Sequence, residues 1–212
     1  MSKVVVDISV SLDGFIAGPD PGREEPLGRG GEALHEWGLA TKGWRGPHGY
    51  EGGETGPDSA MMERGFANLG AVVMGRRMFG GDDGPWGDEP WEGWWGDDPP
   101  FRVPVYVLTN HARESLVKND TTFHFVTDGI DSALDQAKSA AGDKDVSVAG
   151  GADVIQQALR AGAVDELQIH LVPLFLGGGT RLFDSVPASR LQLVEVVASP
   201  TVTHVRYALE AA

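Results

Sequence analysis

Two apolar runs that end in glycine carry the residues best suited to hold a charged ligand. Val72-Val73-Met74-Gly75 hands over to Arg76-Arg77-Met78-Phe79, and Val146-Ser147-Val148-Ala149-Gly150-Gly151 hands over to Ala152-Asp153-Val154-Ile155. A guanidinium grips a phosphate bidentately, and an Arg pair at the C-terminal end of a strand stands where open α/β sheets take their ligands. Free N–H groups in a first helical turn, with the helix dipole behind them, attract a second phosphate, and glycine lets the backbone come close to it. Gly75, Arg76, Arg77 and Met78 on one side, and Gly150, Gly151, Ala152, Asp153 and Val154 on the other, thus read as a split site for a phosphorylated dinucleotide. The G-x-G-x-x-G spacing of Rossmann proteins is absent. A solvated basic pair and a plain strand-to-helix turn are the competing readings. Leu108-Thr109-Asn110 ends a third strand, where Thr109 and Asn110 either touch an adenosine ribose or open a turn.

The elements that must position these residues alternate between strand and helix. A Val- and Ile-rich strand at 3–10 opens the chain, followed by a Gly-rich stretch over 18–57 that reads as a functional loop or insertion, briefly helical from Glu32 to Ala40. The spacing predicts a helix from Asp58 to Leu69, with Asp58 as N-cap and Met61, Met62, Phe66 and Leu69 as its apolar stripe. After strand 71–75, the segment Gly80 to Pro100 holds seven acidic residues, no basic ones, and Trp86, Trp91, Trp94 and Trp95. Its Gly and Pro punctuation rules out regular structure, leaving tryptophans that pack on a neighbouring surface or wall a ligand. Further strands fall at 103–109, 123–126, 146–149 and 165–172, with helices at 131–141 and 152–161. Strands near 191–198 and 201–209, joined at Pro200, read as an antiparallel hairpin. The expected sheet is mixed and mostly parallel, in one domain spanning 1–212.

Composition narrows the chemistry. A formal charge of −14 argues against nucleic acid, whose backbone is bound by clustered Lys and Arg. The absence of cysteine removes disulfides, thiolate nucleophiles and cysteine-ligated zinc. His35, His48, His111, His124, His170 and His204 show no metal spacing, and the strand residues His170 and His204 read as structural. No apolar run suits a membrane span and Met1-Ser2-Lys3 leads straight into a strand, so a cytoplasmic protein is expected.

The combined order of motifs resembles the dihydrofolate reductase fold, in particular the branch that includes the riboflavin-biosynthesis reductase domain. The resemblance rests on Ser11-Leu12-Asp13-Gly14-Phe15-Ile16-Ala17, Val73 to Phe79, Val107 to Asn110, Ala149 to Ala152, and Asp165-Glu166-Leu167 through Pro173 to Gly177-Gly178-Gly179-Thr180-Arg181-Leu182-Phe183. It implies an α/β three-layer sandwich with a mixed, mostly parallel sheet and an antiparallel C-terminal hairpin. It also implies NADPH across the strand ends, with Arg76 and Arg77 near the 2′-phosphate, Gly150-Gly151 beneath the pyrophosphate, and Ile16 and Ala17 beside the nicotinamide. The expected activity is hydride transfer to a C=N or C=O group of a small heterocyclic or sugar-derived substrate. Alternatives are the riboflavin-pathway pyrimidine reductase, which needs a basic site for the ribityl phosphate, and an NADP-binding protein without turnover.

Three acids are candidates for substrate chemistry. Asp58 lies close to where folate reduction uses an acid, Asp13 lies near the implied nicotinamide, and Glu166 faces either the pocket or solvent. Gly177-Gly178-Gly179 with Arg181 either receives a substrate phosphate or simply connects strands. Relatives of the riboflavin branch tend to dimerise, so a homodimer is expected, with the Trp-rich loop suited to an interface.

Overall fold

A computed structural model describes residues 2–80, 83–88 and 90–210. In chain order the elements are β1 (Val4–Ser11), β2 (Phe15–Ala17), a 3-10 turn (Gly31–Leu34), α1 (Glu36–Leu39), α2 (Lys42–Arg45), α3 (Pro57–Ala67), β3 (Leu69–Gly75) and α4 (Arg76–Gly80). There follow β4 (Val105–Leu108), β5 (Leu116–Lys118), β6 (Thr121–Val126), α5 (Gly129–Ala141), β7 (Asp145–Gly150), α6 (Ala152–Arg160), β8 (Glu166–Val172), β9 (Thr180–Arg181), β10 (Leu191–Ala198) and β11 (Thr203–Leu209). The main sheet has the order β10-β11-β8-β1-β7-β3-β4-β6-β5, and β2 pairs with β9 in a small antiparallel sheet. β8, β1, β7, β3, β4 and β6 run parallel, while β10, β11 and β5 are antiparallel to their neighbours.

Side-chain alternation explains the three layers. In β3, Ala71 and Val73 face α5 and α6, whereas Val72 and Met74 face a second core with Phe79, Val105, Val107 and Phe123. A central strand covered on both faces therefore reads as a continuous apolar run. α5 lays Ala133, Leu134, Ala137 and Ala141 on the first face, and α6 lays Val154, Ile155, Ala158 and Leu159 beside them. Ile155 is fully buried, worth about 2 kcal/mol by area transfer. β1 alternates more sharply: Val4, Val6 and Val10 join the helical face, while Asp7, Ser9 and Ser11 point the other way. The 18–57 insertion covers that polar half, with Trp37 packed among Leu34, Val172 and Val202 and its indole N–H donating to Ser9 Oγ at 3.0 Å.

The Trp-rich segment is irregular where described, as its punctuation predicted. It covers the second core through Trp86, Trp91 and Trp95, and its indoles anchor it to backbone carbonyls. Trp91 and Trp94 donate to the carbonyls of Phe79 and Met78, each at 2.9 Å, and Trp86 donates to that of His111 at 2.8 Å. Its acids find cations elsewhere: Glu92 and Asp97 hold Lys118, and Asp98 holds Arg102.

The helix over Asp58 to Leu69 begins one residue earlier than expected, and Asp58 is not its N-cap. Gly56 takes that place, Pro57 opens the helix, and Asp58 sits in the first turn with its carboxylate committed elsewhere. β2, β9, α2, α4 and β5 have no counterpart in the sequence reading.

Candidate active site

The C-terminal ends of the parallel strands open into a cleft of about 600 Å³. It runs from β1 across β7, β3 and β4 to the end of β6, about 19 Å at the usual strand spacing. All thirteen residues proposed from sequence for the dinucleotide line it. Ile16 and Ala17 come from β2, Gly75 ends β3, and Arg76, Arg77 and Met78 open α4. Thr109 and Asn110 follow β4, while Gly150, Gly151, Ala152, Asp153 and Val154 span the turn from β7 into α6.

Glycine at two positions makes this convergence possible. A Cβ on Gly75 would stand 3.0 Å from Val154 Cγ2, so its absence lets α6 approach the end of β3. Gly179 has φ +123° and a Cβ there would meet the Ala17 carbonyl oxygen at 2.1 Å, which lets β9 close against β2. Gln156 on α6 ties this small sheet down, donating to the carbonyls of Arg181 and Leu182 at 3.1 Å each.

Two helix N-termini face the cleft. α6 begins after Gly151 and α5 at Gly129 after Asp128, and neither has a side-chain cap bonded to its first turn. Their backbone donors are available to an anion. The pattern at α5, a strand ending in Val126 and handing over to Thr127-Asp128-Gly129, matches the one at Gly150-Gly151 and was equally readable in the sequence.

The two arginines differ in role. Arg76 is buried, its guanidinium 3.6 Å from the centre of the Trp86 ring, and helps hold the Trp-rich segment. Arg77 is exposed at the rim, and its Nε and Nη2 donate to Asp83 Oδ2 at 3.2 and 2.8 Å. Trp94 and Trp95 line the same rim, so part of the Trp-rich segment walls the cleft while the rest packs.

The remaining lining includes Pro21, Gly22, Pro26 and Leu27 from the insertion, Ile8 of β1, Thr180 of β9, and His35 after the 3-10 turn. Sequence reasoning missed His35, which has no spacing signal. Burial, with the nearby His170 adding to it, pushes the His35 imidazole down to about 4, so the ring is neutral at pH 7. Arg23, from the same insertion, stands 5.5 Å from the centre of the Trp91 ring and joins the two loops that line the cleft.

None of the three acids singled out from sequence lines this cleft. Asp13 accepts from the backbone N–H groups of Leu176 and Gly177 at 3.1 and 2.7 Å, and from the Ser11 hydroxyl at 2.6 Å. Those bonds, Ser11 first, lower its carboxyl below the usual range. The glycine-rich connection at 177–179 thus spends Gly177 N–H on the protein's own carboxylate. Arg181 lies over Phe15 and donates to the Asp13 carbonyl. Glu166 begins β8, at the opposite end of the parallel strands from the cleft, and pairs with Lys3 and Arg206.

Asp58 joins a buried polar chain instead. His204 Nε2 meets Asp58 Oδ1 at 3.1 Å, the Nδ1 atoms of His204 and His170 lie 2.7 Å apart, and His170 Nε2 meets Asp7 Oδ1 at 2.6 Å. Trp37 packs against both rings. Among the described residues no group of His, Asp and Glu is arranged to hold a metal ion, and no helix is long and apolar enough to cross a membrane.

A mostly parallel nine-stranded sheet between two layers, with a ligand cleft at its strand ends, defines the dihydrofolate reductase-like class. Within it, the chain belongs to the RibD C-terminal domain family, whose model matches residues 2–205. A protein of Shewanella sp. PV-4 named for riboflavin biosynthesis has the same fold, with a TM-score of 0.66 at 20% identity over 98% of this chain and 99% of that one. Dihydrofolate reductase of Enterococcus faecalis, solved with NADP(H), superposes with a TM-score of 0.53 at 12% identity over 98% of this chain and 96% of that one. The uncharacterized protein YyaP of Bacillus subtilis is 25% identical over 190 residues, 87% of this chain and 81% of its own length.

Proposed function

We propose that the protein is an NADPH-dependent reductase that acts on a C=N or C=O group of a small substrate. The observation that carries this reading is the meeting of two uncapped helix N-termini and the Arg77 guanidinium in one cleft at the sheet's strand ends. That donor set fits a dinucleotide with a separate phosphate: backbone N–H groups at α6 and α5 for the anionic bridge, and Arg77 for the 2′-phosphate. Gly75 lets α6 close on the end of β3, and Gly150, at φ +131°, forms the turn that aims the α6 N-terminus into the cleft. When bound, NADPH supplies the hydride. The chain's own residues bind and orient it, with Thr109 and Asn110 at the ribose, Ile16 and Ala17 at the nicotinamide, and the two loops excluding water.

Family membership supports a second reading, the pyrimidine reductase of riboflavin synthesis. That substrate brings a phosphate, yet the charged lining groups Arg76, Arg77, Asp83 and Asp153 all come from the segments after β3 and at the start of α6. The part lined from β1, β2, β9 and the insertion has no cationic side chain among the described lining residues, which favours the first reading. Incubation with NADPH and a panel of neutral carbonyl, pterin and phosphorylated pyrimidine compounds separates them by loss of NADPH absorbance. Turnover of a neutral compound is expected. Turnover of the phosphorylated pyrimidine alone would favour the second reading, and NADPH binding without any oxidation would mean a binder.

As partner, a second copy of this chain fits the outer edge strand β10, where Leu191, Leu193, Val194 and Val196 are exposed on an unpaired edge. Sedimentation should give twice the chain mass of 22.5 kDa, and a stable monomer at micromolar concentration would overturn this.

A further inference from the structure

Building on the reductase reading, we propose that His35 hydrogen-bonds the carbonyl oxygen or imine nitrogen of the substrate, and that the substrate is a neutral, largely apolar molecule. His35 follows the 3-10 turn that packs on β1 and β2, and it lines the cleft together with Ile8, Ile16, Leu27 and Thr180. It is the one ionisable side chain among the described lining residues in that part of the cleft. Its imidazole makes no hydrogen bond to any described residue, although the neighbouring histidines His170 and His204 are both fully committed.

An imidazole placed among apolar side chains with no protein partner is matched only by water or a ligand. A neutral ring offers one N–H donor and one acceptor nitrogen. The N–H polarises a carbonyl or imine without transferring a charge into the apolar wall, whereas an anionic substrate group would find no cation there. The depression of the ring to about 4, caused first by burial, agrees with this, since it keeps the imidazole neutral at pH 7. His35 is therefore assigned as the residue that orients the reducible group and discriminates against charged substrates.

The test uses the full chain with NADPH and two aldehydes of similar shape, 4-nitrobenzaldehyde and the anionic 4-carboxybenzaldehyde. The neutral aldehyde is expected to be reduced with kcat/KM at least ten-fold higher than the anionic one. His35→Phe should lower kcat/KM for the neutral aldehyde about ten-fold or more, His35→Gln should recover most of the loss, and both should bind NADPH within about two-fold of the parent. A readout free of turnover is the His35 ring resonance in histidine-labelled protein, identified by its absence from His35→Phe. It should move when 4-nitrobenzaldehyde is added to the NADP⁺-loaded protein. An unmoved resonance, or a His35→Phe variant equal to the parent on the neutral aldehyde, overturns the role of His35 while NADPH binding leaves the reductase reading standing. Failure of the parent to bind NADPH overturns the reductase reading and this inference with it.

Discussion

Replacing Asp58 by Ala should lower the stability of the fold by about 3 kcal/mol and leave NADPH affinity unchanged. The carboxylate bonds Ser199 Oγ at 3.0 Å, Thr201 Oγ1 at 2.9 Å and His204 Nε2 at 3.1 Å; on its removal Ser199 can turn to the Val202 carbonyl at 3.2 Å and Thr201 to solvent, but the buried His204 nitrogen is left without a partner. His204 is 1% exposed and has no other partner for that nitrogen. The wider chain raises the stakes. Three hydrogen bonds in series link Asp7, His170, His204 and Asp58, so losing Asp58 removes one end of a buried network.

Protonation of His204 is resisted. Burial first, and then the charge of His170, hold the His204 imidazole below its ordinary value of 6.5, against the raising effect of the Asp58 hydrogen bond. The unfolded ring takes up its proton near 6.5 and the folded one only below that, so the unfolded chain binds more protons across the interval. Stability present above pH 6.5 therefore falls as the pH is lowered towards the folded value. In Asp58→Ala the fall should extend to lower pH, because the bond that raises His204 is gone. Urea unfolding at several pH values measures both effects. A variant with parental stability and lost turnover would instead make Asp58 a catalytic acid.

Arg77→Ala should weaken NADPH binding about 10- to 100-fold while NADH binding stays within two-fold. A charge-assisted hydrogen bond is worth about 1.5–3 kcal/mol, which corresponds to that range. Arg77 can reach a ligand because its present partner, Asp83, is a surface carboxylate, and such pairs are worth about 0–1 kcal/mol. Asp83 competes with the phosphate for the same guanidinium, so Asp83→Asn should tighten NADPH a few-fold and leave NADH alone. Arg76 behaves differently: buried on the Trp86 ring, its loss should destabilise the Trp-rich segment and weaken both cofactors together. Fluorescence titration of the three variants with both nucleotides distinguishes these outcomes. Equal loss of NADPH and NADH in Arg77→Ala would remove the 2′-phosphate from this rim.

The parts of the site that sequence made legible are those whose signal is local. Gly75 and Gly150-Gly151 sit at the ends of apolar runs, and the stripe of α6 starts immediately after them, so strand, turn and helix could be read within fifteen residues. The parts that were not legible depend on distant partners. Asp58 owes its place to residues 141 to 146 positions away, and Asp13 is held by an amide 164 positions away. Glu166 is fixed by Lys3, 163 positions back. β2 and β9 are three and two residues long, too short for any period to show. Arg76 and Arg77 look alike in sequence, and only the arrival of Trp86 over one of them separates a buried strut from an exposed arm at the rim.

Reductase activity requires that the cleft at the strand ends bind NADPH through its phosphates. Calorimetric titration of the parent protein with NADPH and with NADH tests it without any need for the substrate. Saturable binding of one NADPH per chain, at least ten-fold tighter than NADH, is expected. No saturable heat with either nucleotide, or equal affinity for the two, would contradict it.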